Sequence, residues 1–217
     1  FLPQYPYKDQ IGNPHKLRDE RLGPMPRTEH SVKVHRQEYY AIIEHLDAQV
    51  GRILDTLEKN GQADNTYIFF SADHGLAVGH HGLFGKQNLY EHSTRVPFIA
   101  VGPGIAAGAE TDAHVGLIDL CPTLLELTGS EAIDVPDSKS IAPLLANPRE
   151  HETNFQTAYG EYHGTRFNLA QRIIWQSDWK FVFNGFDFDE LYNLKDDPHE
   201  TKNLVNESEH RTRVKAM

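Results

Sequence analysis

The stretch FFSADHGLAVGHHGLFGKQNLYEHSTRVPF, residues 69–98, decides how the rest of the chain is interpreted. One apolar run, residues 67–70 (YIFF), leads into it, and a second, residues 96–101 (VPFIAV), leads out of it. Neither run alternates with polar residues, which predicts strands that are buried on both faces of a parallel sheet. Asp73 and His74 directly follow the first run. They therefore occupy the strand end at which open α/β sheets bind their ligands.

The flanking segments predict an α/β fold. Upstream, apolar residues recur at helical spacing and Asn60-Gly61 follows them, so a helix is expected over residues 35–59. A helix followed by a buried strand is half of a βαβ unit. The sequence thus predicts part of a doubly wound, mostly parallel sheet with helices on both faces. The core face of the helix is predicted to comprise Tyr39, Ile42, Ile43, Leu46, Val50, Ile53, Leu54 and Leu57.

Composition divides the chain into three parts. Residues 1–30 are rich in proline, glycine and charge, which predicts an extended arm or loop, and residues 31–150 carry the α/β pattern. Residues 151–217 contain short aromatic runs separated by turns such as Asn184-Gly185, which predicts a small antiparallel α+β subdomain. The charged tail after Pro198 is expected to fray.

Charge and cysteine content exclude several classes of protein. The 217 residues carry a formal net charge of -10, which disfavours nucleic acid and acidic membranes as partners. No apolar run is long enough for a transmembrane segment. The single cysteine, Cys121, excludes an internal disulfide. Its place in a predicted helix over residues 119–128 predicts a small buried side chain.

Three side chains of the opening stretch can carry chemistry. Asp73 and His74 can place oxygen and nitrogen on one divalent cation, although a loop-capping aspartate beside a structural histidine gives the same pattern. Lys86 ends a loop that contains Gly75, Gly79, Gly82 and Gly85. Its flexible ammonium suits a tetrahedral oxyanion.

The motif SADHG…GHHGLFGKQNLYEHSTRVPFI resembles the sulfatase family, the sulfate-ester hydrolases of the alkaline-phosphatase-like superfamily. The resemblance continues through EYYAIIEHLDAQVGRILDTLEKNG, HVGLIDLCPTLLELTG and DWKFVFNGFDFDELYNLKDDPHETKNLV. It implies that Asp73 and His74 help to ligate one calcium ion and that Lys86 contacts the sulfate. It also implies a catalytic position near the pocket for His81. His163 and Arg166 are candidates for substrate binding at the pocket mouth, with a structural role as the alternative.

The family's nucleophile, a formylglycine made in a Cys/Ser-X-Pro-X-Arg motif, has no counterpart in the printed sequence. The resemblance therefore implies a C-terminal portion of a longer sulfatase that is inactive alone. The expected partners are a sulfate ester and the missing N-terminal part, a second chain, or another copy of this chain that pairs through the strand at residues 68–70. Periplasmic, secreted and lysosomal locations all fit the resemblance.

Two rival functions remain open at this point. One is a phosphoester hydrolase of the same superfamily, which typically uses two zinc ions. The other is a non-catalytic binding or assembly subunit with the sulfatase fold. The substrate also stays open among aryl sulfates, sulfated sugars and alkyl sulfates.

Overall fold

The computed structural model describes residues 19–164, 170–185 and 188–217. These residues form two compact units, which are described separately. Within the described residues, the first unit comprises residues 19–66 and 74–97, and the second comprises residues 67–73, 98–164, 170–185 and 188–217.

The first unit is built on a long helix, α1, which spans Glu29–Lys59. It begins at Glu29 because the extended residue Thr28 accepts a hydrogen bond from the Ser31 amide at 3.2 Å through its side-chain oxygen. The predicted start at residue 35 was therefore too late. The other helical segments of this unit are α2 (Glu91–Thr94) and the 3-10 turns Asp19–Leu22, Ala63–Asn65 and His80–Gly82.

The apolar face of α1 is exposed, which corrects the prediction that it forms core. Ile42 and Ile53 are each 67% exposed, and Ile43, Leu46 and Leu54 are exposed as well. Val32 is the one residue of α1 that is buried within the described part of the chain. Helical spacing locates an apolar stripe, but it does not say whether another element covers that stripe.

In the second unit, strands β1 (Ile68–Phe70) and β2 (Ile99–Val101) form at the two predicted apolar runs. They pair antiparallel, with Phe69 opposite Ala100, and Ile99 is exposed. The prediction of parallel strands buried on both faces is wrong for this pair. Each strand has only three residues, and the described residues do not cover both faces of the ribbon.

The predicted antiparallel hairpins are present in the C-terminal part. Strands β3 (Thr157–Tyr162), β4 (Gln171–Gln176), β5 (Trp179–Asn184) and β6 (Glu190–Asn193) lie side by side in chain order, each antiparallel to the next. Along β3 and β5, more buried residues alternate with more exposed ones, as a sheet with one covered face requires. Its buried hydrophobic side chains include Ile173, Val182, Leu191 and Tyr192.

The chain after Pro198 is anchored, although it was expected to fray. The Asn203 side-chain oxygen accepts hydrogen bonds from the amides of Leu191 and Val205, both at 3.0 Å, and so ties the tail to β6. The ammonium of Lys180 on β5 lies 2.5 Å from a carboxylate oxygen of Glu200, and both side chains are almost fully buried. These hydrogen bonds and this buried ion pair order a charged segment that composition alone predicts to be unstructured.

In the second unit, Ile141, Leu144 and Phe155 form a buried apolar cluster. Cys121 is exposed in the helix Leu120–Leu127, called α3, so its predicted burial is wrong. Among the described helices, none has the length and apolar content needed to cross a bilayer. The helical segments of the second unit are α3 (Leu120–Leu127), α4 (Ala142–Ala146), α5 (Pro148–His151), α6 (Arg211–Ala216) and the 3-10 turns Leu117–Asp119, Glu152–Phe155 and Ser208–His210.

Candidate functional site

The segment from His74 to Lys86, called here the glycine loop, folds back on itself as a narrow hairpin. The Ala77 amide donates to the Gly85 carbonyl at 3.0 Å, and the Gly79 amide donates to the Leu83 carbonyl at 2.7 Å. Gly79 has φ 99, and a Cβ there would lie 2.4 Å from a Val32 methyl group, so only glycine fits. This hairpin returns the chain to the neighbourhood of His74.

His74 and Lys86, the two ends of the glycine loop, are in contact. The Lys86 ammonium donates to Nε2 of His74, and His74 Nδ1 donates to the Gly75 carbonyl at 3.0 Å. Since a carbonyl can only accept, Nδ1 is the donor of this ring, and Nε2 accepts from the ammonium. A positive charge therefore lies beside a nitrogen lone pair that is able to ligate a metal.

Close backbone contact fixes the position of Gly75, the residue after His74. Its amide donates to the Ser93 carbonyl at 2.9 Å. A Cβ at this position would lie only 2.0 Å from the His92 carbonyl oxygen, so a side chain is excluded here. The glycine lets the chain at this position pass directly over α2.

His81, the second predicted catalytic residue, is buried in a cluster of rings. It is 5% exposed and stacks on Tyr90 with ring centroids 4.1 Å apart. His92 lies beside both rings, with centroids 5.8 Å from His81 and 5.7 Å from Tyr90. His80 is half-buried and stacks on His92. The ring cluster packs the inner side of the glycine loop, and a catalytic role of His81 stays a prediction.

Two buried charged residues behind the glycine loop were missed from the sequence. Glu20 is 5% exposed and Arg27 is 2% exposed, and the two form an ion pair. The Glu20 carboxylate accepts from the amides of Phe84 at 3.1 Å and Gly85 at 2.8 Å. Arg27 donates to the Gly82 carbonyl at 3.1 Å. No local signal in the sequence identifies this pair, because the loop atoms that it binds lie more than fifty residues away.

Asp73, the predicted partner of His74 as a metal ligand, has an exposed side chain and belongs to the second unit. That Asp73 and His74 ligate the same cation stays a prediction. Within residues 19–164, 170–185 and 188–217, no three histidine, cysteine or acidic side chains are grouped so that they could hold a metal ion. Any metal bound at Asp73 and His74 would therefore need ligands from elsewhere.

His163 lies on the surface at the end of β3, within a polar cluster around Glu161. The Glu161 carboxylate contacts His163 Nε2 at 2.9 Å and accepts from Arg172 Nε at 3.1 Å and from the Tyr159 hydroxyl. The hydrogen bond from Tyr159, followed by that from His163, lowers the pKa of Glu161. The same bond to Glu161 raises the pKa of Tyr159. Arg166, the other predicted binding residue, lies outside the described residues.

Family profiles match both halves of the chain. A profile of the sulfatase family matches residues 2–130, and one of the C-terminal part of N-sulphoglucosamine sulphohydrolase matches residues 79–217. The choline-sulfatase of Rhizobium meliloti is 35% identical over 181 residues, which cover 82% of this chain and 34% of that protein. The chain thus spans about a third of the length of the curated relatives that it matches.

Two solved structures share the fold. BT4656, in complex with its substrate D-glucosamine-2-N,6-O-disulfate, superposes with a TM-score of 0.80 at 29% identity, covering 90% of this chain and 41% of that one. The phosphonate monoester hydrolase of Silicibacter pomeroyi superposes with a TM-score of 0.77 at 24% identity, covering 95% and 43% of the two chains. The α/β fold class predicted from the sequence is thereby confirmed.

Proposed function

Because this chain belongs to the sulfatase family, we propose that it supplies sulfate-binding and cation-binding groups for the hydrolysis of sulfate esters. The observation that carries this proposal is the contact of the Lys86 ammonium with the His74 ring at the two ends of the glycine loop. The family resemblance implies that Lys86 contacts the anion and that His74 ligates the metal, and both side chains belong to the first unit.

Lys86 is proposed to bind the sulfate group. Its ammonium is a compact charge with three donors, which suits the oxygens of a tetrahedral anion. In the half-buried surroundings of Lys86, such a charge is screened less than at an open surface. It would stabilise the negative charge that develops while the sulfur–oxygen bond breaks.

Asp73 and His74 are proposed to be two ligands of one calcium ion. The donors fit as part of a larger set, because the Asp73 carboxylate is exposed and His74 keeps its proton on Nδ1, which leaves Nε2 as the ligating atom. Calcium takes about six to eight ligands, mostly oxygens, so the remaining ones must come from outside this pair. The ion would supply positive charge next to the sulfate oxygens. Lys86 would then leave Nε2 and turn to the anion.

Further roles follow from the family resemblance. His81 is proposed to lie near the leaving-group oxygen, and His163 and Arg166 to meet the rest of the substrate. A formylglycine nucleophile outside this chain is part of the proposal, so the isolated 217-residue polypeptide is expected not to hydrolyse sulfate esters.

The exposed apolar face of α1 supports a partner for this chain. Ile42, Leu46 and Ile53 form part of a long exposed stripe that is costly to leave in water. In the relative BT4656, more than half of the chain lies beyond the part matched here. We propose that such a remaining part of the sulfatase fold covers this face, with a second copy of this chain as the alternative.

A phosphonate or phosphate ester hydrolase is the second candidate. The superposition on a phosphonate monoester hydrolase supports it at the level of the fold. A non-catalytic assembly subunit is the remaining alternative, and a complete protein without turnover on either ester would favour it.

The test uses the full-length gene product with an aryl sulfate and an aryl phosphonate as competing substrates. We expect sulfate release to exceed phosphonate release, and Lys86→Ala to lower kcat/KM by about 10²–10³-fold, as expected when one transition-state donor is removed. Lys33→Ala is the matched control, because Lys33 is an exposed lysine paired with Glu29. Equal kcat/KM values for the Lys86→Ala and Lys33→Ala variants would overturn the proposal.

A further inference from the structure

We infer that Glu20 and Arg27 are positioning residues that hold the backbone next to Lys86 and so set where its ammonium lies. This inference rests on the proposed function, which assigns the sulfate contact to Lys86. The pair belongs to a segment expected from the sequence to be an extended arm, and nothing in the family resemblance assigns it a role.

The Glu20 carboxylate binds the backbone immediately before Lys86. It accepts from two successive amides, Phe84 and Gly85, at distances of 2.8–3.1 Å. Two adjacent N–H groups that converge on one anion form a strong and directional site. Close packing of Asp19 and Glu20 explains why residue 85 is glycine, because a Cβ there would lie 2.8 Å from Asp19 Cβ and 3.1 Å from Glu20 Oε1.

Arg27 holds the other side of this loop segment. Its Nε donates to the Gly82 carbonyl and its Nη2 donates to the Glu20 carbonyl, both at 3.1 Å. The guanidinium also lies over the Phe84 ring, 4.2 Å from the ring centroid. This set of contacts needs the planar fork of arginine, which lysine does not provide. Residues 82–85 are thus fixed through carbonyl, amide and side-chain contacts together.

Stability alone is a weak reason for burying this pair. A buried ion pair often contributes little more than an apolar pair of the same size, while loss of one partner is strongly destabilising. The geometry offers another reason, because the Glu20 carboxylate binds the backbone directly before Lys86 and Arg27 binds the Gly82 carbonyl of the same loop. A displacement of about 1 Å at a reacting centre can lower a rate by about 100-fold.

The experiment compares Arg27→Lys and Glu20→Gln with two controls in the full-length gene product. Glu29→Gln removes an exposed ion pair, and Leu144→Ala opens a cavity in the core of the second unit, so it lowers stability away from the glycine loop. The readouts are amide hydrogen exchange at Phe84 and Gly85, the thermal midpoint, and kcat and KM for an aryl sulfate measured below all midpoints.

We expect Arg27→Lys and Glu20→Gln to accelerate exchange at Phe84 and Gly85 by about 10–100-fold, the range for loss of buried charge-assisted hydrogen bonds. We expect both to lower kcat by about tenfold or more. Leu144→Ala should lower the thermal midpoint without changing kcat, and Glu29→Gln should change neither. Arg27→Lys keeps the charge, so it reports on loop geometry even where Glu20→Gln fails to fold.

Unchanged exchange at Phe84 and Gly85 in the Arg27→Lys variant would overturn the inference. Accelerated exchange with unchanged kcat would overturn it too, because the pair would then be only structural. If the unsubstituted protein hydrolyses no sulfate ester, the proposed function fails, and exchange alone decides whether the pair holds the loop.

Discussion

Substitution of Gly75 by alanine tests the tight path of the chain between His74 and α2. The added Cβ would lie 2.0 Å from the His92 carbonyl oxygen and 3.0 Å from its carbon. Both are backbone atoms that cannot rotate away, so the two segments must separate by roughly 1 Å or more to restore ordinary van der Waals contact. That movement breaks the hydrogen bond from the Gly75 amide to the Ser93 carbonyl.

The expected loss of stability combines three contributions. The broken hydrogen bond costs about 1 kcal/mol, and overpacking costs about 1–3 kcal/mol. Reduced freedom of the unfolded chain offsets about 0.4–1 kcal/mol of this loss. The net destabilisation of Gly75→Ala is therefore about 1–3 kcal/mol.

The matched control is Gly51→Ala, because Gly51 lies within α1 and a Cβ there has no atom within 4 Å. Alanine should stabilise the helix at this position by about 0.5–1 kcal/mol. Urea denaturation followed by far-UV circular dichroism measures both variants, and an NMR spectrum reports whether the resonances of His74 and Lys86 move. The close approach of Gly75 to the His92 carbonyl would be refuted if the Gly75→Ala variant were as stable as Gly51→Ala and its His74 and Lys86 signals were unshifted.

Three further substitutions test other parts of the structure. Glu161→Gln should lower the pKa of Tyr159 toward its ordinary value, because the bond to the carboxylate raises it; the phenolate absorbance as a function of pH measures this, and an unchanged titration would contradict the contact. Lys180→Ala should destabilise the chain by about 3–5 kcal/mol, since the buried Glu200 carboxylate loses its ammonium; a denaturation midpoint equal to that of the parent would argue against the pair. Leu46→Glu should shift the isolated chain toward monomer in sedimentation, as the exposed apolar face of α1 becomes charged, and unchanged association would point to another surface.

The sequence predicts those elements whose signals are local. The four strands of the C-terminal sheet follow from aromatic runs and turn residues, and the end of α1 follows from Asn60-Gly61. The start of α1 was missed because its signal is the single capping residue Thr28, which lies in a proline-rich segment. Periodicity identified the apolar face of α1 but could not show that this face is exposed in the described chain.

The candidate site was predictable only in part, because only some of its residues have a local signal in the sequence. The Asp-His-Gly and Gly-Lys sequences at residues 73–75 and 85–86 identified His74 and Lys86 as candidates, and these two side chains are in contact in the structure. The charges that fix the glycine loop, Glu20 and Arg27, bind backbone atoms far away in the sequence. Such pairs become visible only once the chain is folded, because no spacing rule links a side chain to a distant amide.

A crystal structure of the full-length gene product with bound sulfate and calcium tests the central assignment most directly. We expect a sulfate oxygen at hydrogen-bond distance from Lys86 Nζ, roughly 2.7–3.2 Å, and the calcium ion on His74 Nε2 in place of the ammonium. Sulfate bound elsewhere, with Lys86 still donating to His74, would contradict the account.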